Sequence, residues 1–259
     1  MHARRPTVLS IAGSDPSGGA GIQTDLKTFA ALDSDGMAAI TMLTAQSPQA
    51  GVQAVHVPPS DFLGQQLNAL FEDRDNCAVD AIKIGALGNV ANVRAVSATL
   101  RRWKPTKNIV LDPVIVATAG GHTLLETEAM KALLDELVPI CAVWTPNLPE
   151  AAMFLGTQQA KDVTEMQKQC CELAKLGAKA VLLKGGHLSN SDACTDILLE
   201  ADGAERFFGG KRLKVGAKNA HGTGCRLSSA IAVYLARGHG LGEAIQYAKR
   251  YVEQQISAN

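Results

Sequence analysis

The chain has 259 residues, 46% of them hydrophobic, and Lys+Arg 25 balance Asp+Glu 25. That balance excludes a general attraction to nucleic acid or to an anionic membrane, and no run approaches the ~20 apolar residues of a membrane span. Six cysteines (Cys77, Cys141, Cys170, Cys171, Cys194 and Cys225) form no CxxC pair, and the N-terminal apolar run is too short for a signal segment, so a soluble protein of the reducing cytoplasm is expected.

The first apolar run, 7–12, reads as a strand that stops at Gly13. A turn of Ser and Gly follows, and helical spacing resumes after Gly21. Gly13 and Gly18 have the spacing of the glycines in a Walker-type loop, but Gly19 and Ala20 stand where that loop needs Lys and Ser or Thr. Lacking a lysine for the β- and γ-phosphates and a hydroxyl for magnesium, the turn is not built to hold a triphosphate in that manner. Nor does it give G-x-G-x-x-G in register, which argues against a dinucleotide-binding oxidoreductase. Further apolar runs at 37–45, 80–87, 108–116, 142–145 and 180–184 alternate with helical patterns, among them 89–103, 127–138, 164–177 and 242–256. This alternation predicts crossover units and a mostly parallel sheet between helical layers. Segments 192–200 and 205–213 are strand-like with no helix between them, so an antiparallel pair is expected at one edge. No linker or low-complexity stretch divides the chain, so 1–259 is expected to form one domain.

In an open α/β sheet, ligands bind beyond the carboxyl ends of the strands. The polar residues expected there are Gln46 in "TAQ", Asp112 in "DPVIVATAGG", Glu150 in "TPNLPEA" and Lys184 in "KGGH". Lys184 follows an apolar strand and precedes two glycines, a suitable place for a point charge on phosphates. The last loop, "NAHGTGC", is the most informative. Gly222, Thr223 and Gly224 open a helix that is apolar at Leu227, Ile231, Tyr234 and Leu235. Glycines there let backbone N–H groups converge on an anion, and the helix dipole adds about half a positive charge. Cys225 sits in the first turn, where the dipole is expected to bring its pKa below the free value of about 8.5 and make it a base or nucleophile. Packing as a small hydrophobe is the other reading of Cys225, and spacing does not choose between them. Local readings also exist for Asp112, a turn residue before Pro113, and for Glu150, a first-turn glutamate after Pro149.

"GSDPSGGAGIQTDLKTFAAL", "TAQ", "KIGALG", "LDPVIVATAGG", "TPNLPEA", "LLKGGH" and "HGTGC" follow one another as in the hydroxymethylpyrimidine/phosphomethylpyrimidine kinases of thiamine biosynthesis, a branch of the ribokinase-like superfamily. The chain resembles that family from about Thr7 to Ile256. The resemblance implies a three-layer α/β/α fold with a mostly parallel sheet and an antiparallel edge. It implies transfer of the γ-phosphate of ATP, with Mg2+, to a pyrimidine hydroxymethyl group and then to the monophosphate. Gly13, Ala20 and Asp25 would surround the pyrimidine and Gln46 would read its edge, although an Asp early in a helix also complements the dipole. Gly222, Thr223 and Gly224 would hold the transferred phosphate, and Cys225 would be the base. Lys184 and Asp112 would serve the nucleotide phosphates, Asp112 standing on the metal or the phosphate side, and Glu150 would organise magnesium through water. Segment 117–123 has the composition of a lid. A homodimer is also implied.

Three departures from the family pattern stand out: Asp33-Ser34-Asp35, Ala86 and Arg226. Ala86 enlarges the expected acceptor pocket, and Arg226 adds a cation beside the anion loop. Two alternatives remain, a pyridoxal kinase of the same fold and a non-catalytic pyrimidine sensor. The presence of Cys225, Lys184 and Glu150 weighs against the sensor.

Overall fold

Runs of aliphatic and β-branched residues form the strands, and Gly, Pro and Asp end them. In the computed structural model, which describes residues 4–47, 49–73, 75–117, 121–188, 193–211 and 222–257, nine strands form one sheet. They are β1 (Thr7–Ser14), β2 (Asp35–Ser47), β3 (Gly51–His56), β4 (Ala81–Ile84), β5 (Ile109–Leu111), β6 (Val143–Trp144), β7 (Ala180–Leu183), β8 (Ala193–Glu200) and β9 (Glu205–Lys211). The spatial order is β3-β2-β1-β4-β5-β6-β7-β8-β9. All neighbours from β2 to β7 are parallel. The β8–β9 pair is antiparallel, as expected, and β3 adds a second antiparallel edge that the sequence reading did not foresee. Gly51, at φ +66, lets the chain reverse into β3. The hairpin carries a register shift between Ala45 and Gln46, a bulge that re-aims the Gln46 side chain.

Two strands are shorter than their apolar runs. Hydrogen bonding ends at Ile84 in β4 and at Leu111 in β5. Pro113 has no N–H for a ladder, so the rest of its run leaves the sheet and becomes a wall above the strand ends.

Side-chain alternation sorts the two faces. Leu9, Ile11, Ile82, Ile84, Leu111 and Leu183 pack on one face. They meet α2 (Ser60–Glu72), α3 (Val90–Trp103), α4 (Thr127–Ala132), α5 (Leu148–Leu155) and α6 (Val163–Ala174). The pattern read as one helix over 127–138 is α-helical only to Ala132. It continues as a π turn over Leu133–Leu137 and a 3-10 turn over Val138–Ile140, where Pro139 supplies no donor. On the other face Val8, Ala81, Val110, Val143 and Leu182 meet α1 (Gly21–Ala31), α7 (Thr223–Ala236) and α8 (Leu241–Ser257). The result is the three-layer α/β/α arrangement.

The chain leaves β1 toward β2 on one side and returns to β4 on the other, so the strand order reverses between β1 and β4. A crevice opens at such a point. Among the described residues, no helix is long and apolar enough to cross a membrane.

Gly185 tests how tightly the loop after β7 is seated. A methyl group there would lie 2.0 Å from the Thr195 carbonyl oxygen, a backbone atom that cannot swing away. Gly185→Ala is expected to destabilise the fold by about 1–3 kcal/mol, as overpacking does. Thermal unfolding measures this, and an unchanged midpoint would refute it.

Candidate active site

At the β1/β4 switch point, one cleft of about 790 Å3, its open mouth included, is lined by residues from both ends of the chain. Gly13, Ala20, Gln46, Asp112, Glu150, Lys184, Gly222, Gly224 and Cys225 all face it. Nine of the eleven residues singled out from sequence are thus brought together from separate loops.

One wall of the cleft begins with the Ser/Gly turn after β1. Asp15, only 2% exposed, organises it: its carboxylate accepts from Ser17 N at 2.8 Å, Ser17 Oγ at 2.7 Å, Gly19 N at 3.1 Å and Ala20 N at 2.8 Å. The Gln46 amide also donates to Asp15. Burial alone would raise the Asp15 pKa, but Gln46 and the turn donors together hold it below the usual carboxylate value. Three of the turn's N–H groups, those of Ser17, Gly19 and Ala20, are thus spent on the Asp15 carboxylate, while that of Gly21 bonds to Cys225. A methyl group at Gly13 would stand 2.8 Å from Met42 Cγ, so the bare backbone is what lets Met42 close that wall.

The opposite wall is the start of α7. Gly222, at φ +76, caps the helix in a conformation that favours glycine. A side chain there would meet the Gly19 carbonyl oxygen at 2.0 Å, so the N-terminal and C-terminal loops touch. A methyl group at Gly224 would lie 3.5 Å from Lys184 Nζ and 3.8 Å from Asp112 Oδ2, which puts the helix start beside that ion pair. Thr223, the first residue of α7, is half-buried and is not part of the lining. Arg226 also lies outside the lining; its charge is felt at Tyr251 on α8.

Lys184 Nζ donates to Asp112 Oδ1 at 2.7 Å, and Ser228 Oγ donates to Asp112 Oδ2 at 3.2 Å. Burial disfavours both charges, but each supports the other: the Asp112 pKa is lowered and that of Lys184 raised. Glu150 forms a capping box with Asn147: Asn147 N donates to Glu150 Oε2 at 2.7 Å and Glu150 N donates to Asn147 Oδ1 at 2.8 Å. Burial pushes the Glu150 carboxyl up to about 7; Lys184 opposes the rise and Asp112 reinforces it.

Two expectations need correction. Asp25 does not line the cleft. It is wholly buried between the sheet and α7, bonded to Lys83. An Asp in the first turns of α1 looks like a ligand contact or a dipole partner, but its real partner is 58 residues away. Second, the Cys225 thiol is not held below its usual value. Burial raises it, and that outweighs the opposing charge of Lys83. Lys83 itself was missed. The available signal was a lysine inside the apolar run "AIKI", where an unpaired charge is costly. Of the segment 117–123 read as a lid, 118–120 lie outside the described residues, as do 219–221 of the last loop.

The Phosphomethylpyrimidine kinase family matches residues 15–259. A hydroxymethylpyrimidine/phosphomethylpyrimidine kinase of Rhizobium meliloti (strain 1021) is 46% identical over 250 residues, which is 96% of this chain and 90% of that one. Among solved structures, a phosphomethylpyrimidine kinase from Clostridium difficile 630 superposes with a TM-score of 0.82 at 36% identity, covering 97% of this chain and 100% of that one. A Staphylococcus aureus pyridoxal kinase in complex with pyridoxal gives 0.86 at 30% identity, covering 98% and 89%.

The raised Glu150 pKa makes a sign prediction. A carboxyl near 7 in the fold, against 4.5 when unperturbed, keeps its proton longer folded than unfolded. Its contribution to stability is then full below about pH 4.5 and is lost as pH rises through about 7. Glu150→Gln retains a capping-box side chain but cannot ionise. The variant should match the parent in thermal unfolding near pH 4 and exceed it by several degrees near pH 8. An equal difference at both pH values would refute the shift.

Proposed function

Because the chain belongs to the phosphomethylpyrimidine kinase family, we propose that it transfers the γ-phosphate of ATP to the hydroxymethyl group of 4-amino-5-hydroxymethyl-2-methylpyrimidine and then phosphorylates the monophosphate, in thiamine biosynthesis. One observation carries the reading: the turn holding Gly13 and Ala20, Gln46 near the end of β2, and the helix start holding Gly222, Gly224 and Cys225 open into a single cleft, and the turn and the helix start touch at Gly19 and Gly222. An acceptor on the first wall and a phosphate on the second would meet in line between them.

Phosphoryl transfer asks a protein mainly for positioning and charge neutralisation. The α7 start supplies converging N–H groups and a dipole for the transferred phosphate. Lys184, steadied by Asp112, is a cation beside the same position. Cys225 receives the acceptor's proton as its thiolate, the minority form of a thiol whose pKa burial raises. The transition state is loose, so little proton transfer is needed before attack and a small thiolate fraction suffices. Gln46, one amide proton on Asp15, presents its remaining donor and acceptor to the ring.

Magnesium fits the donors present. Among the described residues there is no cluster of three metal-ligating side chains, but Mg2+ commonly uses one or two carboxylates plus substrate phosphates and water. Glu150 would hold the ion, with Asp112 close by, and the ion would neutralise charge on the transferred phosphate. The six cysteines enter no disulfide, which accords with a reducing cytoplasm.

The direct test measures ATP consumption with hydroxymethylpyrimidine, its monophosphate and pyridoxal. Turnover of the first two in preference to pyridoxal is the expected result. Preference for pyridoxal would move the assignment to the activity named for the S. aureus relative, and no turnover with any acceptor would favour a sensor. Two variants probe the roles. Gln46→Ala should weaken acceptor binding by roughly 1–3 kcal/mol and leave ATP affinity in place. Cys225→Ala should cut turnover by about 10²–10⁴-fold, the usual contribution of a general base. A turnover close to the parent's would leave Cys225 as packing.

A further inference from the structure

Lys83 takes no part in the scheme above, yet its side chain is wholly buried and lines the cleft. Its ammonium donates to both oxygens of Asp25, at 2.9 and 2.8 Å. Ser10 Oγ on β1 and Ser229 Oγ on α7 donate to the same carboxylate at 2.6 and 2.8 Å. Ser229 is one helical turn after Cys225, so the two side chains leave α7 on the same face. One buried cluster therefore ties β1, β4, α1 and the helix that carries the thiol. Its two charges are not equivalent: Asp25 is turned away from the cleft, whereas Lys83 faces it. A fold that needed only packing here gains little from ions, since apolar residues of similar volume serve as well or better.

We propose that Lys83 is a positioning residue for transfer to the hydroxyl acceptor: anchored by Asp25, its ammonium stabilises the negative charge of the Cys225 thiolate at the start of α7. The inference rests on the kinase reading. In the first transfer the thiolate takes the hydroxyl proton, the hydroxyl oxygen bonds to the γ-phosphorus, and the bridging P–O bond breaks with its electrons leaving on ADP. In the second transfer the acceptor oxygen belongs to a phosphate monoester that is already ionised near neutral pH, so Cys225 has no proton to receive. The charged groups whose fields reach the thiol are Lys83 from β4, Asp25 from α1, Asp112 beyond β5 and Lys184 beyond β7. Among these Lys83 acts on it most strongly, and it opposes the effect of burial.

The test reads the thiolate directly, by the pH dependence of Cys225 alkylation with iodoacetamide, resolved by peptide mass spectrometry. Lys83→Met is expected to raise the midpoint by on the order of one pH unit, and Lys83→Arg to keep it near the parent's. Lys83→Met alone leaves Asp25 buried without its cation, so Lys83→Met with Asp25→Asn removes both charges and guards against misfolding; its midpoint should rise by less, because Asp25, which opposes Lys83 at the thiol, is removed too. In kinetics the Met variant should lose roughly tenfold or more in kcat with hydroxymethylpyrimidine, recover as pH rises, and lose less with the monophosphate. An unmoved alkylation midpoint in folded Lys83→Met, or a fall in the double variant, overturns the proposal, as does an equal loss for both acceptors with an unshifted pH profile. If the kinase reading itself fails, no acceptor turns over, but the midpoint can still be read, so the two failures are distinguishable.

Discussion

The buried contact between Lys83 and Asp25 is the constraint on which the rest of the site depends. Lys83 comes from β4 and Asp25 from α1, while Ser10 of β1 and Ser229 of α7 complete the shell around the carboxylate. Register places Ser10 directly beside Lys83 in the parallel β1–β4 pair. An ammonium and a carboxylate with no solvent access are tolerable only while each keeps its partner. The pair therefore fixes how α1 and α7 sit on the sheet, and with them the two glycine-rich loops that open from those helices.

Once those helices are set, close backbone approach does the remaining work. Gly222 packs against the Gly19 carbonyl oxygen so tightly that no side chain fits between them. The N-terminal and C-terminal walls of the cleft are thereby held in contact across more than 200 residues of sequence. Asp15 accepts from the Gly19 and Ala20 N–H groups of the first loop, whereas Gly222 at the start of α7 offers no side-chain cap. Among the described residues, the two loops differ in the internal carboxylate that the first holds on its N–H groups.

The charges around the cleft form two connected sets. Lys184 and Asp112 balance each other, and on the same side burial holds the Glu150 carboxyl up at about 7. Lys83 and Asp25 balance each other beneath α7. Cys225 lies between the sets and is sensitive to both, which is why a thiol whose burial would keep it neutral still feels an opposing field. A charged substrate and a divalent cation entering this space would meet groups already held in place, with little reorganisation to perform.

Much of this was legible in the sequence. Alternating apolar runs and helical stripes determine the layered α/β/α arrangement, because burial of one face is a local requirement on each element. The residues at strand ends, from Gln46 to Lys184, could be named as site candidates because the carboxyl ends of parallel strands converge. The capping box of Asn147 and Glu150 was written in four consecutive residues. Three features were decided only by tertiary structure. The β3 edge depends on a reversal at Gly51 and on pairing with β2, neither of which a short alternating segment specifies alone. Asp25 was assigned to the ligand because its helix position could not show that a lysine from β4 would reach it. The pKa of Cys225 followed burial and Lys83, whereas the sequence offered only the helix dipole. Local patterns report what each segment must bury, but an ion pair or a perturbed thiol depends on groups far apart in the chain, which only folding brings within reach.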